Sequence, residues 1–224
     1  MNLQLDNVTI ICIDGVNPNI GLKALKYSMR NVDFKEAKIV SHIKPDDLPD
    51  NIQFCQIEPL THDTVSSWTL HELYKYVDTD YCLTIHDDGF VINPHLWTNE
   101  FLNYDYIGAP WFHTIPYYGP IHRVGNGGFS LRSKKLINLC KNLNYTSGHE
   151  DGIICLRNRL WFEAQGCKFS PVEIAMKFSL EEEIPECEFN LNNCFGFHGR
   201  GISLLRSENH NQQLLDRIKL LESV

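Results

Sequence analysis

YCLTIHDDGF, residues 81–90, is a five-residue run, apolar but for one threonine, that breaks directly into a histidine, two adjacent carboxylates and a glycine. So short a run before a turn reads as a strand, and the acids then stand at its carboxyl end, where open α/β sheets gather their ligands. A similar unit opens the chain. Residues 8–13 form a mainly apolar run ending at Asp14-Gly15, after which Leu22, Leu25, Met29 and Val32 recur at helical spacing. Residues 38–41 and 52–57 read as further strands, separated by a loop with Pro45, Pro49 and paired aspartates. Asp63 or Thr64 is placed to cap a helix whose buried face is Val65, Trp68, Leu73 and Val77. Strands alternating with helices imply an α/β fold with a mostly parallel central sheet.

Downstream the pattern changes. Residues 94–119 are rich in Trp, Tyr, Phe and Pro without a period, which predicts long loops around a short strand at 106–109. Residues 127–132 read as a strand and 134–143 as a helix. A second helix over 150–161 carries an apolar stripe through Ile153, Leu156, Leu160 and Trp161 and ends at Gly166. Residues 168–175 and 194–198 read as late strands separated by the acidic run EEEIPECE, and Leu214, Ile218 and Leu221 mark a closing amphipathic helix. With 224 residues and no linker or repeat, one domain is expected.

Twenty Lys+Arg against twenty-eight Asp+Glu give a formal charge of −8, which disfavours a nonspecific grip on nucleic acid. An acidic protein that handles phosphates needs a metal ion or local positive groups. No run approaches the ~18–20 apolar residues of a membrane span, and the first residues lack the features of a secretory leader, so a soluble cytoplasmic protein is expected. The eight cysteines are scattered without a CxxC pair, which predicts reduced thiols rather than a zinc ribbon or a disulfide framework.

Four motifs can carry chemistry, and each also has a plain structural reading. Asp87 and Asp88 offer oxygen ligands suited to Mg2+ or Mn2+, or simply form a turn. In RVGNGGFSLRS, residues 123–133, the glycines around Asn126 admit a close approach of something to the backbone, so Asn126, Gly127 and Gly128 line a sugar or phosphate pocket or form a bulged turn. This is neither a P-loop nor a dinucleotide fingerprint, because no Gly-Lys-Ser/Thr follows and no helix opens there. In SGHEDG, residues 147–152, acids at a helix start are favoured by the helix dipole, yet Asp151 there is also placed to act as a general base. His198 in FGFHG, residues 195–199, is a structural histidine or a metal ligand.

Taken in this order, the motifs resemble those of GT-A-type glycosyltransferases. More closely, HDDGFVINPHLW, YDYIGAPW, VGNGGFSLRS, HEDGIIC and FGFHG are similar to a family of small bacterial and viral proteins classed as glycosyltransferases, over about residues 8–199. The resemblance implies a GT-A-like fold, with about residues 1–90 as a nucleotide-binding half and about 91–224 as an acceptor and catalytic half. It implies a nucleotide-sugar donor, UDP-linked by default, a carbohydrate or other hydroxyl acceptor, and Mn2+ or Mg2+ held by Asp88 and His198. His86 stands where such enzymes have the first acid of their metal motif. Asp14, Gly15, Ser41, His42 and Asp87, with Asn126, Gly127 and Gly128, fall on the donor side. Trp111, His149 and Glu150 fall on the acceptor side, and Asp151 is the base of an inverting displacement. The aromatic residues Trp97, Trp111, Phe112, Tyr117 and Tyr118 either present flat faces to a sugar or form a loop core. Two other readings remain: a noncatalytic carbohydrate or nucleotide binder, and a metal-dependent nucleotidyltransferase or phosphohydrolase.

Overall fold

The computed structural model describes residues 2–112, 122–145, 147–199 and 207–224. Its centre is a six-stranded sheet in the order β3-β2-β1-β4-β6-β5. The strands are β1 (Leu3–Ile13), β2 (Val32–Ser41), β3 (Gln53–Gln56), β4 (Tyr81–Ile85), β5 (Tyr106–Ile107) and β6 (Phe129–Ser133). β1, β2, β3 and β4 run parallel, whereas β6 is antiparallel to both β4 and β5. β1 pairs with β2 on one side and β4 on the other, so the strand order reverses there and leaves a crevice at their carboxyl ends.

Both faces of the sheet are covered. Ile10, Cys12 and Ile39 pack with Leu22 and Leu25 of α1 (Pro18–Ser28), while Ile11, Ile13, Val40 and Cys82 pack on the opposite face with Leu73, Val77 and Ile137. The alternation follows from the pleat, which sends successive side chains of a doubly covered strand to opposite cores. α1 ends at Ser28, earlier than the spacing predicts. Asn31 turns through φ +62°, and Val32 opens β2 instead of closing the helix.

Three further expectations are corrected. The cap of α2 (His62–His71) is neither Asp63 nor Thr64 but Thr61, whose hydroxyl accepts from the Thr64 amide in a reciprocal capping box. Residues 168–175 are not a strand. Pro171 opens α6 (Val172–Phe178), whose buried residues Ile174, Ala175 and Phe178 have helical spacing, and only β7 (Ser179–Leu180) follows, paired with β8 (Gly196–Phe197). The helix over 150–161 is broken in two. A short α4 (Glu150–Gly152) runs into a π turn (Ile153–Arg157), in which the Asn158 amide donates to the Ile153 carbonyl, before α5 (Arg159–Ala164) resumes. The wider turn rotates α5 about its own axis. Leu160 and Trp161 therefore face outward, 72% and 39% exposed, and Arg159 and Phe162 are buried instead. α3 (Lys134–Cys140) and α7 (Glu208–Lys219) match the expected helices, and the eight cysteines are free thiols, all but Cys187 buried. Among the described residues no helix is long and apolar enough to cross a membrane.

Candidate active site at the sheet's carboxyl edge

The β1–β4 reversal brings the first motifs together. Asp14 follows β1 and accepts the Val16 and Asn17 amides on Oδ1 at 2.9 and 2.7 Å, shaping the turn into α1, and Gly15 packs against the Leu60 carbonyl. At the end of β2 the fully buried Ser41 hydroxyl and the His42 Nδ1 lack hydrogen-bond partners. Buried polar atoms in this condition cost free energy unless something binds them. Asp87 and Asp88 sit half-buried in the turn after β4, closed by paired backbone bonds between His86 and Gly89 at 3.1 and 3.2 Å. Cys12 pairs with Ile85, which sets the Asp87–Asp88 turn beside the end of β1 and Asp14, and burial, then the charges of Asp14, Asp87 and Asp88, push up the Cys12 thiol.

His198 reaches this turn from β8. Its Nε2 lies 3.4 Å from Asp88 Oδ1 and its Nδ1 lies 3.0 Å from Glu181 Oε1. The neighbouring Gly199 amide donates to the Asp88 carbonyl at 2.9 Å. His86 stands edge-on to the His198 ring at 5.9 Å. One ligand atom each from His86, Asp88 and His198 lie within 4.8 Å of one another. Atoms held ~2.0–2.3 Å from one ion are roughly 3–4.5 Å apart, so a slight contraction suits this set to a divalent cation. Burial works against the His198 imidazolium, but the bonds to Asp88 and Glu181 outweigh it and raise its pKa to about 10. His86 is shifted the other way, downward, by burial and then by His198.

The glycine motif packs against partners within the chain. The protein's own side chains approach its backbone closely. A Cβ at Gly128 would lie 2.0 Å from His198 Nε2, and one at Gly127 would lie 2.0 Å from Glu150 Oε1. Asn126, in a left-handed conformation at φ +68°, accepts the Gly128 and Phe129 amides on Oδ1 at 3.1 and 3.3 Å and donates from Nδ2 to Glu181.

Glu150 and Asp151 are adjacent in sequence yet differently housed. Glu150 bonds Arg132 Nη2 at 3.0 Å and the Ser66 hydroxyl at 3.3 Å, and Arg132, 1% exposed, also lies over the Tyr106 ring. Burial alone would raise Glu150, but Arg132 and then His86 hold its carboxyl below the usual range. Asp151 accepts the Gly127 amide at 3.1 Å and the Gly152 amide at 2.6 Å. Burial and then the Glu150 charge nevertheless push it upward. Asp151 lines a cleft of about 420 Å3 with Trp111, Gly148, His149, Gly152, Leu156 and Arg157.

Of the residues expected on the acceptor side, Trp111 and His149 thus share the cleft with Asp151, whereas Glu150 is turned inward to Arg132. Trp97 belongs to the core, 5.4 Å from Phe101 and 5.1 Å from Phe195, and Phe112 is exposed. Tyr117 and Tyr118 lie outside the described residues. Sequence reasoning missed Arg132, Glu181 and the ligand geometry of His86. The run 181–188 looks like a solvated acidic loop, yet it ties the site together: Glu181 to His198 and Asn126, Glu182 to the Phe112 amide, Glu186 to Arg123.

Two solved structures share this fold over nearly their whole length. A galactosyltransferase, LgtC, in complex with donor and acceptor sugar analogues has a TM-score of 0.56 at 13% identity, with 96% of this chain and 95% of that chain covered. A glycosyltransferase involved in glycosylating the major capsid of PBCV-1 has a TM-score of 0.53 at 15% identity, with 97% and 99% covered. A looser likeness, to the bifunctional IspDF from Campylobacter jejuni at a TM-score of 0.48 and 13% identity, covers 73% of this chain, which spans only 48% of that protein. None of the curated protein sequences matches the chain. The GT-A fold is thus common ground, at identities too low to carry an activity across. A family profile described as "Protein of unknown function (DUF5672)" matches residues 43–198, most of the chain, which therefore belongs to the DUF5672 family.

Proposed function

We propose that this chain is a glycosyltransferase that moves a sugar from a nucleotide-sugar donor, UDP-linked by default, to a hydroxyl of a carbohydrate acceptor with inversion. One observation carries the reading. Adjacent glycines join the two chemical groups, because Gly128 packs on the His198 ring while the Gly127 amide donates to Asp151, and this closeness supports imidazole and base serving one reaction. Asp88 and His198, with His86, would hold a divalent ion, Mn2+ or Mg2+, whose charge when bound stabilises the departing diphosphate. The unpartnered Ser41 hydroxyl and His42 Nδ1, beside the Asp14 turn, supply bonds for the nucleoside, and Asp87 stands in the turn at the neighbouring strand end.

Asp151 takes the proton from the acceptor hydroxyl as that oxygen attacks the anomeric carbon. Its raised proton affinity suits it to this role, a contribution of roughly 10²- to 10⁴-fold. Trp111 offers the acceptor ring a flat apolar face beside Asp151. The other carboxylate nearby, Glu150, is engaged by Arg132, which supports a single displacement rather than a covalent intermediate.

The test is a thermal-shift panel of nucleoside diphosphates and nucleotide sugars with and without Mn2+, since a ligand of the folded state raises its apparent stability. A Mn2+-dependent shift with one class of nucleotide is the expected result. Turnover with that donor should fall roughly 10²- to 10⁴-fold in Asp151→Asn while the shift persists. Retained turnover removes Asp151 as base, and pyrophosphate released from a nucleoside triphosphate identifies a nucleotidyltransferase instead.

A further inference from the structure

We propose that His86, Asp88 and His198 form a two-imidazole, one-carboxylate centre that prefers a nitrogen-binding divalent ion of the Co2+ or Zn2+ kind over Mg2+, with Glu181 as the positioning residue that aims His198 at it. The inference deepens the metal assignment of the transferase reading and rests on that assignment, although its test involves no donor and no turnover. Carboxylates and water suit Mg2+, which dehydrates reluctantly, whereas imidazole suits later divalent ions. Here two of the three convergent ligand atoms are ring nitrogens. The ring after β4 brings a nitrogen where a carboxylate would bring an oxygen, and so sets the chemistry of the three-ligand set.

Glu181 decides which nitrogen of His198 is presented. The Asn126 amide is oriented by two backbone N–H groups, from Gly128 and Phe129, that donate to its Oδ1, which leaves Nδ2 facing Glu181. Both Nδ2 of Asn126 and Nδ1 of His198 then donate to the one carboxylate, whose oxygens are each engaged. Nδ1 also lies 3.0 Å from Asn126 Nδ2, but with the Glu181 carboxylate within reach of both nitrogens Nδ1 keeps its hydrogen, and Nε2, packed over Gly128 and directed at Asp88, is the nitrogen that takes the ion in place of its proton. Such carboxylate–histidine pairs typically change metal affinity by about 10- to 100-fold when broken.

The experiment titrates chelator-treated protein with Co2+, followed by its visible absorption and by calorimetry, with Zn2+, Mn2+ and Mg2+ as competitors. Co2+ should bind at least ~100-fold more tightly than Mg2+, in keeping with nitrogen ligands. His86→Asp should narrow the Co2+/Mg2+ ratio by about tenfold or more. Glu181→Gln should weaken Co2+ by about 10- to 100-fold with the thermal midpoint little changed. Equal affinity for Mg2+, an unchanged ratio in His86→Asp, or a thiolate charge-transfer band reporting a cysteine ligand overturns the centre. Full Co2+ affinity in Glu181→Gln overturns the positioning role. Co2+ selectivity without any nucleotide shift would sink the transferase and leave this centre standing.

Discussion

Gly128→Ala is a one-methyl test of where His198 stands. The backbone of Gly128 is not in the left-handed region, so the added carbon is opposed by contact alone. It would lie 2.0 Å from Nε2, 2.2 Å from Cδ2 and 2.7 Å from Cε1 of the ring. Comfortable contact begins near ~3.4 Å, so the ring must retreat by roughly 1.4 Å. Retreat is confined, because Nδ1 is tied to Glu181 and a methyl at Gly89 would already sit 2.9 Å from the same ring. Metal sites tolerate ligand displacements of about 0.2 Å, so the imidazole is lost as a ligand. Overpacking of this kind costs about 1–3 kcal/mol. At about 2–4 °C per kcal/mol for a chain of this length, the melting midpoint falls by roughly 2–12 °C. Co2+ titration alongside thermal melts should therefore find a folded protein with its metal affinity reduced at least ~100-fold. Gly152→Ala is the control: nothing lies within 4 Å of its added carbon, and metal affinity should not change. Wild-type affinity in a folded Gly128→Ala protein would mean that the ring is not at this glycine and that the centre is misplaced.

Two more outcomes rest on the buried charges. Arg132→Met strands Glu150, itself only 12% exposed, and should cost about 3–5 kcal/mol, or roughly 6–20 °C in a melt; adding Glu150→Gln should recover most of that, and a loss under about 1 kcal/mol would show the pair to be dispensable. Glu150→Gln alone removes the like charge beside Asp151, which lowers the proton affinity of Asp151. A base works above its own pKa, so the acid limb of the kcat/KM–pH profile should move to lower pH. A limb that stays put would mean that Asp151 is not the titrating base.

The parallel half of the fold is legible because its strands are short apolar runs that stop at acids and prolines, as residues 8–15 and 81–89 do. The misses have local causes. Residues 153–157 carry the apolar spacing of an α-helix, and nothing in that spacing signals the one extra residue per turn that turns Leu160 and Trp161 outward. Phe169 lies in what looks like a strand over residues 168–175, but it makes only an isolated bridge to Tyr106 before Pro171 caps α6. Asp88, His198 and Asp151 could be proposed from sequence because each sits in a short motif of unusual composition. Glu181 could not, since one acid in EEEIPECE looks like the next until the fold seats it under His198.

The choice between Glu150 and Asp151 turns on tertiary charge. Both begin the same helix and the dipole favours both equally, so local sequence offers no means of separating a base from a structural acid. Arg132 breaks the symmetry. It reaches the pair from β6, five residues beyond the glycine whose amide Asp151 accepts, and it engages Glu150 only because Gly127 has no side chain in the way. With Glu150 held as an anion by Arg132, its neighbour bears the repulsion on top of its own burial, and its proton affinity rises, the direction the proposed base needs. Gly127 is therefore needed twice, for the space that lets the ion pair form and for the amide that holds Asp151 in place. A Gly127→Ala chain should lose the distinction between the two acids even where it still folds, since the added carbon would stand 2.0 Å from the Glu150 carboxylate.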